Sequence, residues 1–124
     1  MRKLFISCPM KGRTEENIKA SMEKMHKIAE ATLGEELEVI PSYIEHRPPE
    51  NSHEAVWYLG ESIKKLSEAD VIITVDTRGE FNGCYVERTI AHRYGIEVIE
   101  VDERHIVPDL IEARMSHACE VSHE

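Results

Sequence analysis

Short apolar runs alternate with longer segments whose apolar residues recur every three or four positions. The runs at residues 3–7, 37–40, 70–75 and 97–101 read as buried strands. Between the first two, Ile18, Met22, Met25, Ile28 and Ala29 keep helical spacing down to Leu33 and Gly34. Thr14 is placed to cap that helix, with Glu15 and Glu16 in its first turn. Its methionine stripe is read as core filler. A second helix is expected over residues 52–69, with Val56, Leu59, Ile63 and Leu66 on one face. Asn51, with Glu54 three residues on, resembles a capping box for it. A third helix is expected over 83–94, and Pro108 is placed to open a short fourth over 108–115. The tail 116–124 is polar and is left outside the domain, which spans 1–115.

The resulting order, β-α-β-α-β-α-β-α, predicts an α/β fold: a doubly wound parallel sheet with helices on both faces. Right-handed crossovers favour strand order 2-1-3-4, in a sheet of four strands or at most five. Strands 1 and 3 are then neighbours at the topological switch point, and ligands bind beyond their carboxyl ends. The loops 7–13 and 76–82 emerge there. A third irregular stretch, 41–52, carries Pro41, Pro48 and Pro49 with Tyr43, Glu45, His46 and Arg47, a length typical of functional loops.

The segment Gly83-Cys84-Tyr85-Val86-Glu87 opens the helix after strand 3. On a helix, Gly83, Glu87 and Ala91 form one i, i+4, i+8 row. A carboxylate between two near-absent side chains leaves space above it for a ligand. The plain alternative is a solvated glutamate on a helix whose small residues pack tightly against the sheet. Lys11, Gly12 and Arg13 precede a helix N-terminus, where free amides, the helix dipole and mobile positive charge favour an anion.

Composition narrows the classes. A chain of 124 residues, 41% hydrophobic, makes one globular domain with a single core. No apolar run reaches a membrane span, and Met1-Arg2-Lys3 opens no signal-peptide apolar region, so a cytoplasmic protein without membrane contact is expected. Cys8, Cys84 and Cys119 show no paired spacing, so no disulfide framework is expected. The net charge of −9 disfavours nucleic-acid polymers but not a small anion held by backbone amides. A Cys8 nucleophile with His46 or His92 has no local signature. His105, His117, Cys119 and His123 match no zinc-ligand spacing, so no metal is assigned. Neither a dinucleotide-binding nor a P-loop glycine motif is present, and no cofactor is expected.

The loop F-I-S-C-P-M-K-G-R and the later N-G-C-Y-V-E-R-T-I-A-H-R-Y-G together resemble the nucleoside 2-deoxyribosyltransferase-like superfamily. They are most similar to small members opening with a Y-I-S-G-P-M-T-G-like loop and to the deoxynucleoside 5′-monophosphate N-glycosidases. The resemblance covers residues 3 to 101 in architecture and is carried by about twenty positions. It implies a flavodoxin-like fold, a homodimer, and cleavage of the bond between base and sugar in a nucleoside or nucleotide. It maps the family's nucleophilic glutamate onto Glu87, and the loop that meets base, sugar or 5′-phosphate onto Ser7, Cys8, Pro9, Met10, Lys11 and Gly12. With these go Arg13, and Asn82 and Gly83 at the helix opening. The acid that handles the base maps onto Asp76 or Glu80; Glu45 and His46 are further candidates for protonating it. The chain departs from the transferases in carrying Phe5 where they have a tyrosine that touches the glutamate. It also has Ser7-Cys8 and Thr89 at positions usually glycine. The resemblance implies an N-glycosidase or a 2-deoxyribosyltransferase; a non-catalytic nucleotide-binding module on the same fold is the alternative.

Overall fold

The computed structural model describes residues 1–44, 46–76 and 82–107. Four strands, β1 (Arg2–Ser7), β2 (Leu37–Val39), β3 (Val71–Asp76) and β4 (Glu97–Asp102), form one parallel sheet in the order β2-β1-β3-β4. They alternate with α1 (Glu15–Leu33), α2 (Glu54–Leu66), α3 (Asn82–Arg93) and a single turn, α4 (Glu103–Ile106). This is the flavodoxin-like, doubly wound arrangement that the element order predicts. The predicted final helix, 108–115, and the tail, 116–124, lie outside the described residues.

The sheet separates two apolar layers by the two-residue period of its strands. Leu4, Ile6, Val71, Ile73 and Val75 face α1 and α4, where they meet Met25, Ala29, Ile106 and Val107. Phe5 and Ile72 face α2 and α3 and pack on Leu66 and Ala91. β3 is buried on both faces, as a central strand of a parallel sheet must be. Thr74 is the one polar residue in its buried Val71–Val75 run.

α1 forms as its sequence dictates. Thr14 Oγ1 accepts from the Asn17 amide (3.1 Å), and Gly34 closes the helix at φ 67°, a conformation that needs no Cβ. Met25 and Ala29 are fully buried in its apolar stripe. Ser21, a polar residue in the same stripe, is buried too: its hydroxyl donates to the Ile106 carbonyl (2.6 Å) and joins α1 to α4.

α2 departs from expectation. It is shorter than 52–69, and the capping box is not formed. Asn51 sits at φ 64° inside a turn closed by the Ser52 amide on the Pro49 carbonyl (3.2 Å), so His53 takes the cap position without a side-chain bond. Of its apolar face only Leu66 is fully buried, and Val56 is 61% exposed. Trp57 and Tyr58, consecutive on the helix, meet edge to face at 5.0 Å.

Met25 is enclosed by both strands and helices, whereas Ile18 of the same stripe is only half-buried. Met25→Ala is therefore expected to lower the unfolding free energy by about 2–5 kcal/mol, with Ile18→Ala costing clearly less. Urea denaturation of the two variants checks this; equal losses would show that the stripe packs uniformly.

Candidate active site

Ser7 ends β1 on the face turned toward α3, and β1 pairs with β3 so that Ser7 stands opposite Thr74. Glu87 lies on the second turn of α3. The Ser7 hydroxyl donates to Glu87 Oε1 at 2.6 Å across eighty positions of sequence. Glu87 is only 7% exposed. The solvated reading of this residue is therefore excluded by the fold.

Burial, with no cationic partner among the described residues, has a direct electrostatic consequence. Desolvation pushes the Glu87 carboxyl up to about 7, against an opposing pull from the Ser7 hydrogen bond. At neutral pH the group is poised between acid and anion, the condition suited to proton transfer or to an activated nucleophile. Cys84, one turn earlier, is buried beside it. Its thiol donates to the Ser7 carbonyl (3.6 Å), and burial pushes it up to about 12, so it is a neutral packing group. Phe5, one pleat below Ser7, packs on Ala91 and supplies an apolar floor without a hydroxyl.

The Gly83-Glu87-Ala91 row divides between two roles. Gly83 is exposed, with open space where a Cβ would point. Ala91 is buried against Phe5 and serves packing alone. Asn82, at the start of α3, is exposed beside Gly83. Thr89 is exposed, and its hydroxyl returns to the Tyr85 carbonyl (2.8 Å). Tyr85 points outward, with the Arg88 guanidinium 5.6 Å from its ring centre, and does not meet Glu87 through a hydrogen bond.

The loop after β1 divides as well. Met10 and Lys11 are exposed, and Gly12 adopts φ 77° in a turn closed by the Arg13 amide on the Met10 carbonyl (3.2 Å). Pro9 is buried. Cys8 is buried in the layer facing α1, opposite the face that carries Ser7 and Glu87. Arg13 corrects the expectation of a mobile charge. Its guanidinium donates to the Pro9 carbonyl (2.9 Å), the Asn17 carbonyl (3.3 Å) and Ser21 Oγ (2.6 Å), and reaches Cys8 Sγ at 3.5 Å. It clamps the loop to α1 and leaves Lys11 as the exposed cation of the pair.

Asp76 is the last residue of β3, at the carboxyl edge that also receives Ser7 and α3. Its register partner Asp102 is engaged elsewhere: the Arg104 guanidinium and then the Arg104 amide hold its carboxyl down at about 2. Glu45 and Glu80 lie outside the described residues. His46 borders a shallow, open depression of about 240 Å³ with Tyr43, Lys64 and Lys65, which includes none of the residues around Glu87. Among the described residues no group of three or more His, Cys, Asp or Glu could hold a metal ion. No described helix is long and apolar enough to cross a membrane.

Sequence reasoning passed over Thr74. It is fully buried, stands beside the Cys84 thiol, and is the one enclosed side-chain polar atom left without a hydrogen-bond partner among the described residues. The available signal was a single hydroxyl in an otherwise apolar buried strand. Compared with family models, with curated proteins and with solved structures, the chain matches none.

Glu87 makes stability depend on pH in a defined direction. Its carboxyl binds a proton more tightly folded (about 7) than unfolded (4.5). The stabilisation is thus full below the unfolded value and is lost as pH rises through the folded one. Glu87→Gln keeps an oxygen acceptor for Ser7 and cannot ionise. Its stability relative to the wild type should rise by about 2–3 kcal/mol between pH 5 and pH 8. Urea titrations at the two pH values test this, and parallel pH dependences of the two proteins would refute the assignment.

Proposed function

We propose that the protein cleaves the N-glycosidic bond of a nucleoside or nucleoside 5′-monophosphate, with Glu87 as the nucleophile. The observation that carries this reading is a carboxyl buried at the switch point, held by one hydroxyl and poised near neutrality. Such a group stabilises an oxocarbenium-like transition state or captures it covalently. In the first step a Glu87 oxygen bonds to the anomeric carbon as the carbon–nitrogen bond breaks. The electron pair of that bond leaves with the base, which takes a proton from an acid at the carboxyl edge; Asp76 is the residue proposed there. Water then attacks the glycosyl ester, passing one proton to the acid that had served the base, and gives the free sugar and the carboxylate, whereas attack by a second base gives transfer. The Ser7 hydrogen bond orients the carboxylate throughout.

The exposed Lys11 and the turn at Gly12 lie before the α1 N-terminus and suit a 5′-phosphate, with the exposed Asn82 and Gly83 at the start of α3 as the further substrate-binding residues. Arg13 contributes by shaping the loop. A small-molecule nucleotide is accordingly the proposed partner.

Incubation with a panel of nucleosides and 5′-monophosphates, followed by detection of free base, tests the reading. Base release should be abolished by Glu87→Gln. As the reactive form is the anion, kcat/KM should rise with pH along a limb near 7 and level off above it. Undiminished turnover by Glu87→Gln overturns the assignment. Saturable binding of a nucleotide without base release identifies a binding module instead.

The same reading has the chain acting as a homodimer through α2. Val56 and Tyr58 are exposed there, and Gly60 at the helix midpoint has open space above it. Glu54 lies in the first turn and Lys64 and Lys65 in the last, so two antiparallel copies would set opposite charges against each other about a two-fold axis. Light scattering should give twice the 14.2 kDa chain mass, and Val56→Glu should return the monomer. A monomeric wild type across the micromolar range overturns this.

A further inference from the structure

An enclosed hydroxyl without a partner costs about 1–3 kcal/mol, and native structures hold few of them. Thr74 Oγ1 is such a group, fully buried on the strand beside Ser7. The two residues are register partners on β1 and β3 with their side chains on the same face, the arrangement in which Ser and Thr hydroxyls on adjacent strands pair. Thr74 Oγ1 lies against the Cys84 thiol and slightly tempers its upward shift, but makes no hydrogen bond of full geometry with it.

We propose that Thr74 is a positioning residue whose hydroxyl donates to Ser7 Oγ and so holds Ser7 in the donating orientation toward the Glu87 carboxylate. This rests on the proposed role of Glu87 as the reacting carboxylate.

The proton inventory supports a relay of this sense. When Glu87 is neutral, its own O–H can donate to Ser7 Oγ, and Thr74 is not needed. When Glu87 is ionised it can only accept, so Ser7 must donate its proton. The lone pairs of Ser7 Oγ are then open, and Thr74 fills one of them. A hydroxyl that donates to a carboxylate becomes a better acceptor, so the two bonds strengthen each other.

No other charged group among the described residues competes for Glu87. On β1 it faces Ser7 and the apolar Phe5. On α3 its neighbours are the neutral Cys84 thiol, Ala91, and Arg88, which is turned to Tyr85 and to Glu100 (3.9 Å). Among the described residues, burial and then Ser7 account for the shift at Glu87. On β3, Thr74 is the residue opposite Ser7, and Asp76 lies one pleat further toward the carboxyl edge.

The test needs no substrate, so it stands apart from whether the protein releases base. The Glu87 carboxyl is titrated by carbon NMR in the wild type, Thr74→Val, Thr74→Ser, Ser7→Ala and Ser7→Ala with Thr74→Val. Thr74→Val should raise the midpoint by about half to one pH unit, and Thr74→Ser should hold it near the wild-type value. In the Ser7→Ala background, Thr74→Val should change nothing, because the effect passes through Ser7. Thr74→Val is isosteric and removes an unpartnered hydroxyl, so its melting temperature at pH 5 should equal or exceed that of the wild type. An unmoved midpoint in Thr74→Val, or an equal shift with and without Ser7, overturns the proposal. Should Thr74→Val not fold, Thr74→Ala carries the same comparison.

Discussion

Ser7 and Glu87 are separated by eighty residues of chain and 2.6 Å of space, and the hydrogen bond between them ties the two halves of the structure to one site. It exists because β1 and β3 run side by side, which places the end of β1 under the first turns of the helix that follows β3. A parallel sheet permits this only by crossover connections, so α1, β2 and α2 are the scaffold that brings one serine beneath one glutamate. A slip of the β1–β3 register by one residue would turn Ser7 to the α1 face and present Ile6 or Cys8 to Glu87.

The same contact explains why the site is a place of reduced stability. Among the described residues, a carboxyl is enclosed with one hydroxyl and no cation, beside a neutral thiol and a hydroxyl with no hydrogen-bond partner. Each of these features costs free energy relative to an apolar core of the same shape. Proteins keep such arrangements where reactivity requires them. The surrounding elements are correspondingly firm: β3 is apolar and buried on both faces, and the loop after β1 is clamped to α1 by Arg13. Through Ser21 that clamp continues into α4, so the loop beside the site is braced from the far face of the sheet.

The two faces of the sheet differ in how completely they are covered. The α1 face is closed by a long capped helix and by Ile106 and Val107. On the other face α3 is well seated, whereas α2 buries only Leu66 fully and leaves Val56 and Tyr58 exposed. The difference follows from side-chain direction: Val56, Trp57 and Tyr58 are consecutive, and neighbours on a helix point about 100° apart, so one sheet face cannot receive all three.

The chain by itself determined the order of the elements from β1 to β4, the strand order and the boundaries of α1, because these follow from the period of the apolar residues and from local caps that act within a few positions, whereas the short α4 was not anticipated. Thr14 and Gly34 need nothing beyond their own neighbourhood. It also singled out Glu87, through the small residues spaced around it and the position of its helix after strand 3. The tertiary structure alone decided that Glu87 is buried, that Ser7 is its partner, that Arg13 is a clamp and that Thr74 Oγ1 has no hydrogen-bond partner among the described residues, since each depends on atoms brought together from distant segments. Ser21 and Thr74 are polar residues in apolar stripes, and a pattern of hydrophobicity records them as gaps. Whether such a gap is filled by a hydrogen bond, as at Ser21, or left open, as at Thr74, is set by what the opposing element places there, which no local period encodes.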